Sequence, residues 1–286
     1  MPDTAFSVIS PQKLASAVVF ASPHSGTDYS DSFLAQTILG RQEIRSSEDA
    51  FVDRLFKAAP EFGSPLLMAV KPRAYLDLNR SPDELDPAVI EGVQPRGQNP
   101  RVASGLGVIP RVVANGRAIY RGKLPVTEAE QRIRCCWHPY HRALKGLLEQ
   151  AHQYFGQAIL VDCHSMPHEA IDTMVPCRGG KPEVVLGDRF GAAADNSVVD
   201  RIEAAFAAAG LNVARNTPFA GAYIAQTYGR PSRRQHAVQV EIDRALYMDE
   251  ANIRPNGNFE PLQQLLRQVI SEIAAIGRDA LPLAAE

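Results

Sequence analysis

An α/β fold with a mixed, mostly parallel central sheet flanked by helices is predicted by two features of this 286-residue chain. Short apolar, β-branched runs alternate with segments of helical period, the signature of strands separated by crossover helices. Several of those runs also end on a histidine or a carboxylate, where open α/β sheets collect their ligands beyond the carboxyl ends of the strands.

In chain order, "ASAVVFA" (15–21) and "SPLLMAVK" (64–71) read as strands, with a helix over 46–59 between them. The segment from Ser81 to Gly122 is long, polar and rich in Pro, Gly, Asn and Arg, with one short strand candidate in "LGVIPRVV". Loops of that length in a compact domain are usually functional. Thr127 and Glu130 in "TEAE" have the spacing of a capping box, which predicts a helix start. Pro139 should kink that helix or begin a second one. "QAILVDCHS" (157–165), "EVVLG" and "AVQVEID" (237–243) are further strands; "SVVDRIEAAFAAAG" is a helix stopped by Gly210. A last helix runs over 258–276, with Pro261 in its first turn and Gly277 beyond its end. No repeat or linker divides the sequence, so residues 1–286 are expected to form one domain.

Composition narrows the function. With 45% hydrophobic and 22% charged residues the chain can bury a large core, and a formal charge of −2 gives no global attraction to nucleic acid or to anionic membranes. No apolar run approaches the length of a bilayer span, and the N-terminal residues show no signal peptide, which points to the cytoplasm. Cys135, Cys136, Cys163 and Cys177 have no CxxC spacing and read as reduced thiols. The sequence sets no oligomeric state.

His24 and His164 are the first candidates for chemistry. Each follows a core strand, and together they suit a metal such as zinc, which takes imidazole ligands and commonly keeps an open position at catalytic sites. A single strand-end histidine is more often a structural hydrogen-bonder; two, each near carboxylates, change that balance. The third ligand is expected within "SSEDAFVDRL", where spacing leaves Glu48, Asp49 and Asp53 open, and acids there also suit a helix N-terminus. Asp162, two residues before His164 on the same strand face, can hold an imidazole from behind. "PRAYLDLNR" (72–80) places Arg73, Asn79 and Arg80 together as a carboxylate fork. Glu241, flanked by Val240 and Ile242, is costly to bury unless partnered, as a structural ion pair or as a general base. His138 and His141 in "WHPYH" have the spacing of a metal pair, although helix packing accounts for them as well. The glycines and tyrosines of "FAGAYIAQTYGRP" (219–231) suit a loop that closes on a ligand.

In order, "PHSG", "EDAFVDRLF", "YLDLNR", "YR" at 120–121, "PYHRAL", "VDCHS", "GAYIAQTYGRP" and "VEIDRALYMDE" resemble the landmarks of the N-formylglutamate amidohydrolases. That family is akin to the zinc carboxypeptidases, with a phosphorylase/hydrolase-like fold. The resemblance implies one Zn2+, or another divalent metal, on His24, Asp49 and His164. Where the related carboxypeptidases and aspartoacylase-like enzymes have a glutamate three positions after the first histidine, this sequence has Thr27. By the same likeness Asn79 and Arg80, with Arg73 behind them, would hold a substrate carboxylate, and Glu241 would carry the proton from water to the leaving amine; Tyr223, in the 219–231 loop, is a further substrate-binding candidate. The implied reaction converts N-formyl-L-glutamate to formate and L-glutamate, as in histidine degradation. An acidic N-acyl amino acid is then the small-molecule partner. Competing readings are a zinc amidohydrolase for another N-acyl amino acid or a small peptide, and a non-catalytic binder of an acidic metabolite.

Overall fold

Seven strands form one sheet in the computed structural model, which describes residues 4–94, 99–172, 174 and 180–278. They are β1 (Phe6–Ile9), β2 (Val18–Ser22), β3 (Leu66–Ala69), β4 (Ala158–Met166), β5 (Val184–Gly187), β6 (Val213–Arg215) and β7 (Gln235–Asp243). Their order across the sheet is β1-β3-β2-β4-β7-β5-β6. Every residue of β2 and β4 is buried, because strands covered on both faces need apolar side chains at each position rather than at alternate ones. β2 runs parallel to β4, and β4 parallel to β7. β5 is antiparallel to β7 and parallel to β6, so the sheet is mixed and mostly parallel, as expected. Its register sets His164 of β4 opposite Glu241 of β7, and Met166 opposite Asp243. Cα partners on neighbouring strands project to one face, so a histidine and a glutamate 77 positions apart in the chain become lateral neighbours.

The helices are α1 (Asp31–Gln36), α2 (Val52–Leu55), α3 (Pro100–Ala103), α4 (Val126–Arg132), α5 (His138–Phe155), α6 (Asn196–Ala208), α7 (Tyr223–Tyr228) and α8 (Phe259–Arg278). The chain divides into two compact units, one of Met1–Ser7, Pro23–Ala50 and Met68–Ala143, the other of Val8–Ser22, Phe51–Leu67 and Leu144–Glu286. In the second unit α6 packs on α8. Helix α8 buries Phe259, Leu262, Leu266, Val269, Ile270 and Ile273, the i, i+3, i+4 stripe of an amphipathic helix. Among its neighbours Arg54 lies over the Phe259 ring, 4.4 Å from the centroid. In the first unit, Arg132 is fully buried and lies over the Tyr75 ring at 4.1 Å. It donates to Tyr120 Oη, to the Tyr75 carbonyl, to Gln36 and to Glu128, which satisfies a guanidinium that would otherwise be too costly to bury.

Several local expectations need correction. Of the predicted helix over 46–59 only the four residues of α2 are α-helical, with 3-10 turns at Glu43–Arg45 before that range and Ala59–Phe62 at its end. Phe51, at φ 68, interrupts the helical path immediately before α2. The capping box does not form; α4 begins after Pro125, Thr127 lies inside its first turn, and no side chain caps its N-terminus. "LGVIPRVV" is not a strand and contributes only an isolated bridge, Val112 to Ala118. Pro139 does stand at the start of a second helix, since a π-helical turn over Ile133–Trp137 separates α4 from α5. Gly277 does not end α8 but lies within it. A Cβ there would fall 2.5 Å from both the Ala17 nitrogen and Ser16 Oγ, and the Gly277 carbonyl accepts the Ala17 N–H. The glycine is what allows α8 to touch the start of β2. Cys135, Cys136 and Cys163 form no disulfide among the described residues, and Cys177 lies outside them. Among the described residues no helix is long and apolar enough to cross a membrane.

Candidate metal centre

The "PHSG" that ends β2 is built by close backbone approach. A Cβ on Gly26 would come 2.2 Å from the Lys71 carbonyl oxygen, so only glycine lets the chain turn there. The turn leaves His24 buried, 2% exposed, with its two ring nitrogens facing different carboxylates. Nε2 donates to Asp77 Oδ1 at 2.7 Å, whereas Nδ1 lies 3.4 Å from Asp49 Oδ2. The Asp49 N–H in turn donates to the His24 carbonyl, which fastens the 48–49 segment beside the histidine.

Of the three acids that spacing left open, Asp49 is the one in a ligand cluster. Among the described residues His24, Asp49 and His164 each offer one ligand atom, and these atoms all lie within 4.8 Å of one another. Glu48 is committed elsewhere, accepting from Tyr29 Oη at 3.0 Å and from Arg45 Nε and Nη2. Burial, reinforced by the Glu48 charge, raises the Tyr29 phenol above its ordinary range. Asp53 lies in the first turn of α2, outside the cluster. His164 has Asp162 as its carboxylate neighbour, Nε2 to Oδ2 at 3.1 Å, and Asp162 is fully buried. Two buried imidazoles, each in contact with a carboxylate, plus a third carboxylate from Asp49, fit a divalent cation in donor type and in charge.

Two members of the expected carboxylate fork, Arg73 and Asn79, are bonded to Asp77. Arg73 Nε donates to Asp77 Oδ2 at 3.0 Å, and the Asn79 N–H donates to Asp77 Oδ1 at 2.8 Å. Burial works to raise the Asp77 carboxyl, but Arg73, His24 and Arg80 hold it well below the usual carboxylate range. Arg80 is buried, its Nε donating to the Leu106 carbonyl and Nη1 to the Asn79 carbonyl; burial lowers the pKa of its guanidinium, against the opposing pull of Asp77. His138 and His141 join no ligand cluster among the described residues. His141 donates from Nε2 to the Leu78 carbonyl and stacks on Trp137 with ring centroids 3.9 Å apart. Trp137 Nε1 donates to the Arg80 carbonyl. These two side chains therefore brace the 78–80 backbone, and burial pushes the His141 imidazole down to about 4. Exposed His138 meets Trp137 edge-on.

On β7, Glu241 is 8% exposed. Gln239, two residues earlier on the same strand face, donates from Nε2 to Glu241 Oε1 at 2.8 Å and accepts the Ala222 N–H on Oε1 at 3.2 Å. Tyr223 is the first residue of α7 and half-buried. Sequence reasoning missed Asp77, Gln239 and Trp137. The signal for the first two was present: Asp77 is the acid of "DLNR", and Gln239 shares the strand face of Glu241.

A mixed, mostly parallel sheet flanked by helices, with buried ligand atoms of His24, Asp49 and His164 within 4.8 Å of one another, defines an α/β protein with a candidate divalent-metal centre. The sequence profile of the N-formylglutamate amidohydrolase family matches residues 16–248, and the chain belongs to that family. It is 31% identical over 274 residues to an N-formylglutamate deformylase of Pseudomonas aeruginosa, covering 92% of this chain and 94% of the relative. Identity to the N-formylglutamate deformylase of Pseudomonas putida is 28% over 271 residues, with the same coverage. The crystal structure of N-formylglutamate amidohydrolase from Ralstonia eutropha JMP134 superposes with a TM-score of 0.90 at 36% identity, over 97% of this chain and 100% of that one. A gene product of Agrobacterium tumefaciens, Atu2144, shares the fold at 16% identity and a TM-score of 0.60, over 96% of each chain.

Proposed function

We propose that this chain hydrolyses the amide bond of N-formyl-L-glutamate to formate and L-glutamate, as a single amidohydrolase domain dependent on one divalent metal ion, zinc by its donor set. The observation that carries the reading is the convergence of His24, Asp49 and His164 ligand atoms within 4.8 Å, in a chain of this family. His24, Asp49 and His164 would hold the ion, which when bound supplies Lewis acidity toward the formyl carbonyl and lowers the pKa of water toward 7.

The protein's own groups do the rest. Glu241 takes a proton from the attacking water and delivers it to the amine nitrogen as the C–N bond breaks, so that one carboxylate serves first as base and then as acid. Gln239 holds one oxygen of that carboxylate, which limits its rotation. Arg80, Arg73, Asn79 and Tyr223 hold the substrate carboxylate and fix the formyl group for attack, which turns a bimolecular encounter into an effectively intramolecular one. An acidic N-acyl amino acid is the substrate class, and the reaction has its place in histidine degradation in the cytoplasm.

Metal content and formate release test this directly. Purified protein should carry close to one equivalent of zinc, release formate from N-formylglutamate, and lose that activity to a chelator with recovery on adding zinc back. Full activity in metal-free protein would refute the metal reading. Zinc-loaded protein active only on longer N-acyl amino acids would refute the substrate. In Glu241→Gln, turnover should fall by at least about 100-fold while zinc stays bound; normal turnover would refute the role given to Glu241.

A further inference from the structure

We infer that Arg101 is a specificity-determining residue that binds the side-chain carboxylate of the substrate, while Arg80, nearer to His24, takes the α-carboxylate. The inference rests on the N-formylglutamate reading above and gives a role to the long 81–122 segment, which that reading leaves unused.

Main-chain bonds tie the two arginines to one turn. The Leu106 N–H donates to the Arg101 carbonyl at 2.8 Å, and the Leu106 carbonyl accepts from Arg80 Nε at 2.9 Å. A single residue thus spans from α3, which carries Arg101, to the Arg80 guanidinium. The turn is itself fastened. The Val108 N–H donates to the Glu84 carbonyl and the Asp77 N–H to the Val108 carbonyl, while a Cβ on Gly107 would fall 2.5 Å from the Glu84 carbonyl oxygen. Arg111 braces the same turn, donating from Nη2 to the Ala103 carbonyl and from Nε to Asp86 Oδ2. Arg101 therefore projects from a held backbone, and a ligand that meets it pays little to order the loop.

Charge points the same way. Arg111 and Arg117, from the same segment, have carboxylate partners in Asp86 and Glu43 at 2.8 and 3.2 Å. Arg101 is exposed, and its guanidinium has no such partner among the described residues. The charges acting on Arg80 are the guanidiniums of Arg73 and Arg101 and the carboxylates of Asp77 and Glu84. With Arg80 itself that makes three guanidiniums against two carboxylates, a local positive excess in a chain whose formal charge is −2. Like charges held together repel until an anion settles between them, and guanidiniums take carboxylates in paired hydrogen bonds. In the substrate the α-carboxylate sits on the carbon that bears the amide, and the side-chain carboxylate lies two methylenes farther out. Arg80 is the buried member, beside the Asp77 that accepts from His24, and Arg101 is the exposed one. The order of depth of the two arginines matches that of the two carboxylates.

The test compares N-formyl-L-glutamate with N-formyl-L-glutamine, whose side-chain amide carries no charge, on the full chain loaded with zinc. Each is measured by formate release, and N-formylglutamine also as a competitive inhibitor. The parent protein should prefer the glutamate. In Arg101→Gln, kcat/KM for N-formylglutamate should fall about 10–100-fold, mainly through KM, while N-formylglutamine changes by less than about threefold. Zinc content should match the parent, and Arg101→Lys, which keeps the charge, should recover part of the loss. A parent that treats the two compounds alike, an Arg101→Gln loss equal on both, or no loss on N-formylglutamate would overturn the inference. Failure of the zinc-loaded parent to release formate from N-formylglutamate would instead refute the proposed reaction, and this inference with it.

Discussion

Replacing His141 with glutamine removes a titrating group whose effect on stability has a defined pH window. The imidazole is 5% exposed, stacked on Trp137, and bonded through Nε2 to the Leu78 carbonyl. Burial pushes its pKa from the ordinary 6.5 down to about 4. Between those values the unfolded chain binds a proton that the folded protein refuses. Stability therefore rises with pH across this window and is lost as pH falls from the unfolded value toward the folded one. Since each pKa unit corresponds to 1.36 kcal/mol, the whole window is worth about 3 kcal/mol. Glutamine keeps an N–H donor for the Leu78 carbonyl and has nothing to protonate. Urea unfolding of parent and variant should be followed at steps between pH 7.5 and 4, with the metal removed from both. The variant is expected to be less stable than the parent at pH 7.5, having lost the ring stack, and to close that gap by about 3 kcal/mol on acidification. Parallel stability profiles, or an NMR titration of His141 in the folded parent near 6.5, would refute the reasoning.

Other perturbations test other joints of the molecule. Arg80→Ala removes a buried guanidinium beside Asp77, and should cost about 2–5 kcal/mol in kcat/KM, mostly through KM, with zinc content unchanged. A rise in KM below twofold would show that Arg80 does not hold substrate. Gly277→Ala forces a methyl to within 2.5 Å of the Ala17 nitrogen and Ser16 Oγ, where α8 meets β2. It should destabilise the fold by about 1–3 kcal/mol in a denaturant titration, despite alanine's better helix propensity; a stabilised variant would disprove the close contact.

The central strands were legible because burial on both faces writes an uninterrupted apolar run, as in "VVFAS" and "AILVDC". His24 and His164 stood out because each breaks such a run at its exit, and the choice of Asp49 came from likeness to a family. Strands β1 and β6, at four and three residues with half-exposed positions, leave too little pattern to read. Phe51 looks like a helical residue in sequence and takes a left-handed conformation in the fold, which broke the predicted helix. The histidine pair, for which spacing left metal binding and helix packing both open, needed the same kind of information. Spacing along α5 brings His138 and His141 together, but the partner of His141 is a carbonyl 63 positions away, at Leu78. Asp77 likewise meets His24 across 53 positions. Local sequence gives periodicity and caps; which carboxylate backs which imidazole is decided by tertiary contacts.

The amide of Gln239 cannot be turned over. Its oxygen is committed to the Ala222 N–H and its nitrogen to a Glu241 oxygen, and a flip would set a donor against a donor at one end and an oxygen against an oxygen at the other. The side chain consequently works as a strut of fixed polarity between the threshold of α7 and the acid on β7. The position of the Ala222 peptide and the orientation of the Glu241 carboxylate are therefore mechanically tied, so that neither can shift without the other giving up a hydrogen bond.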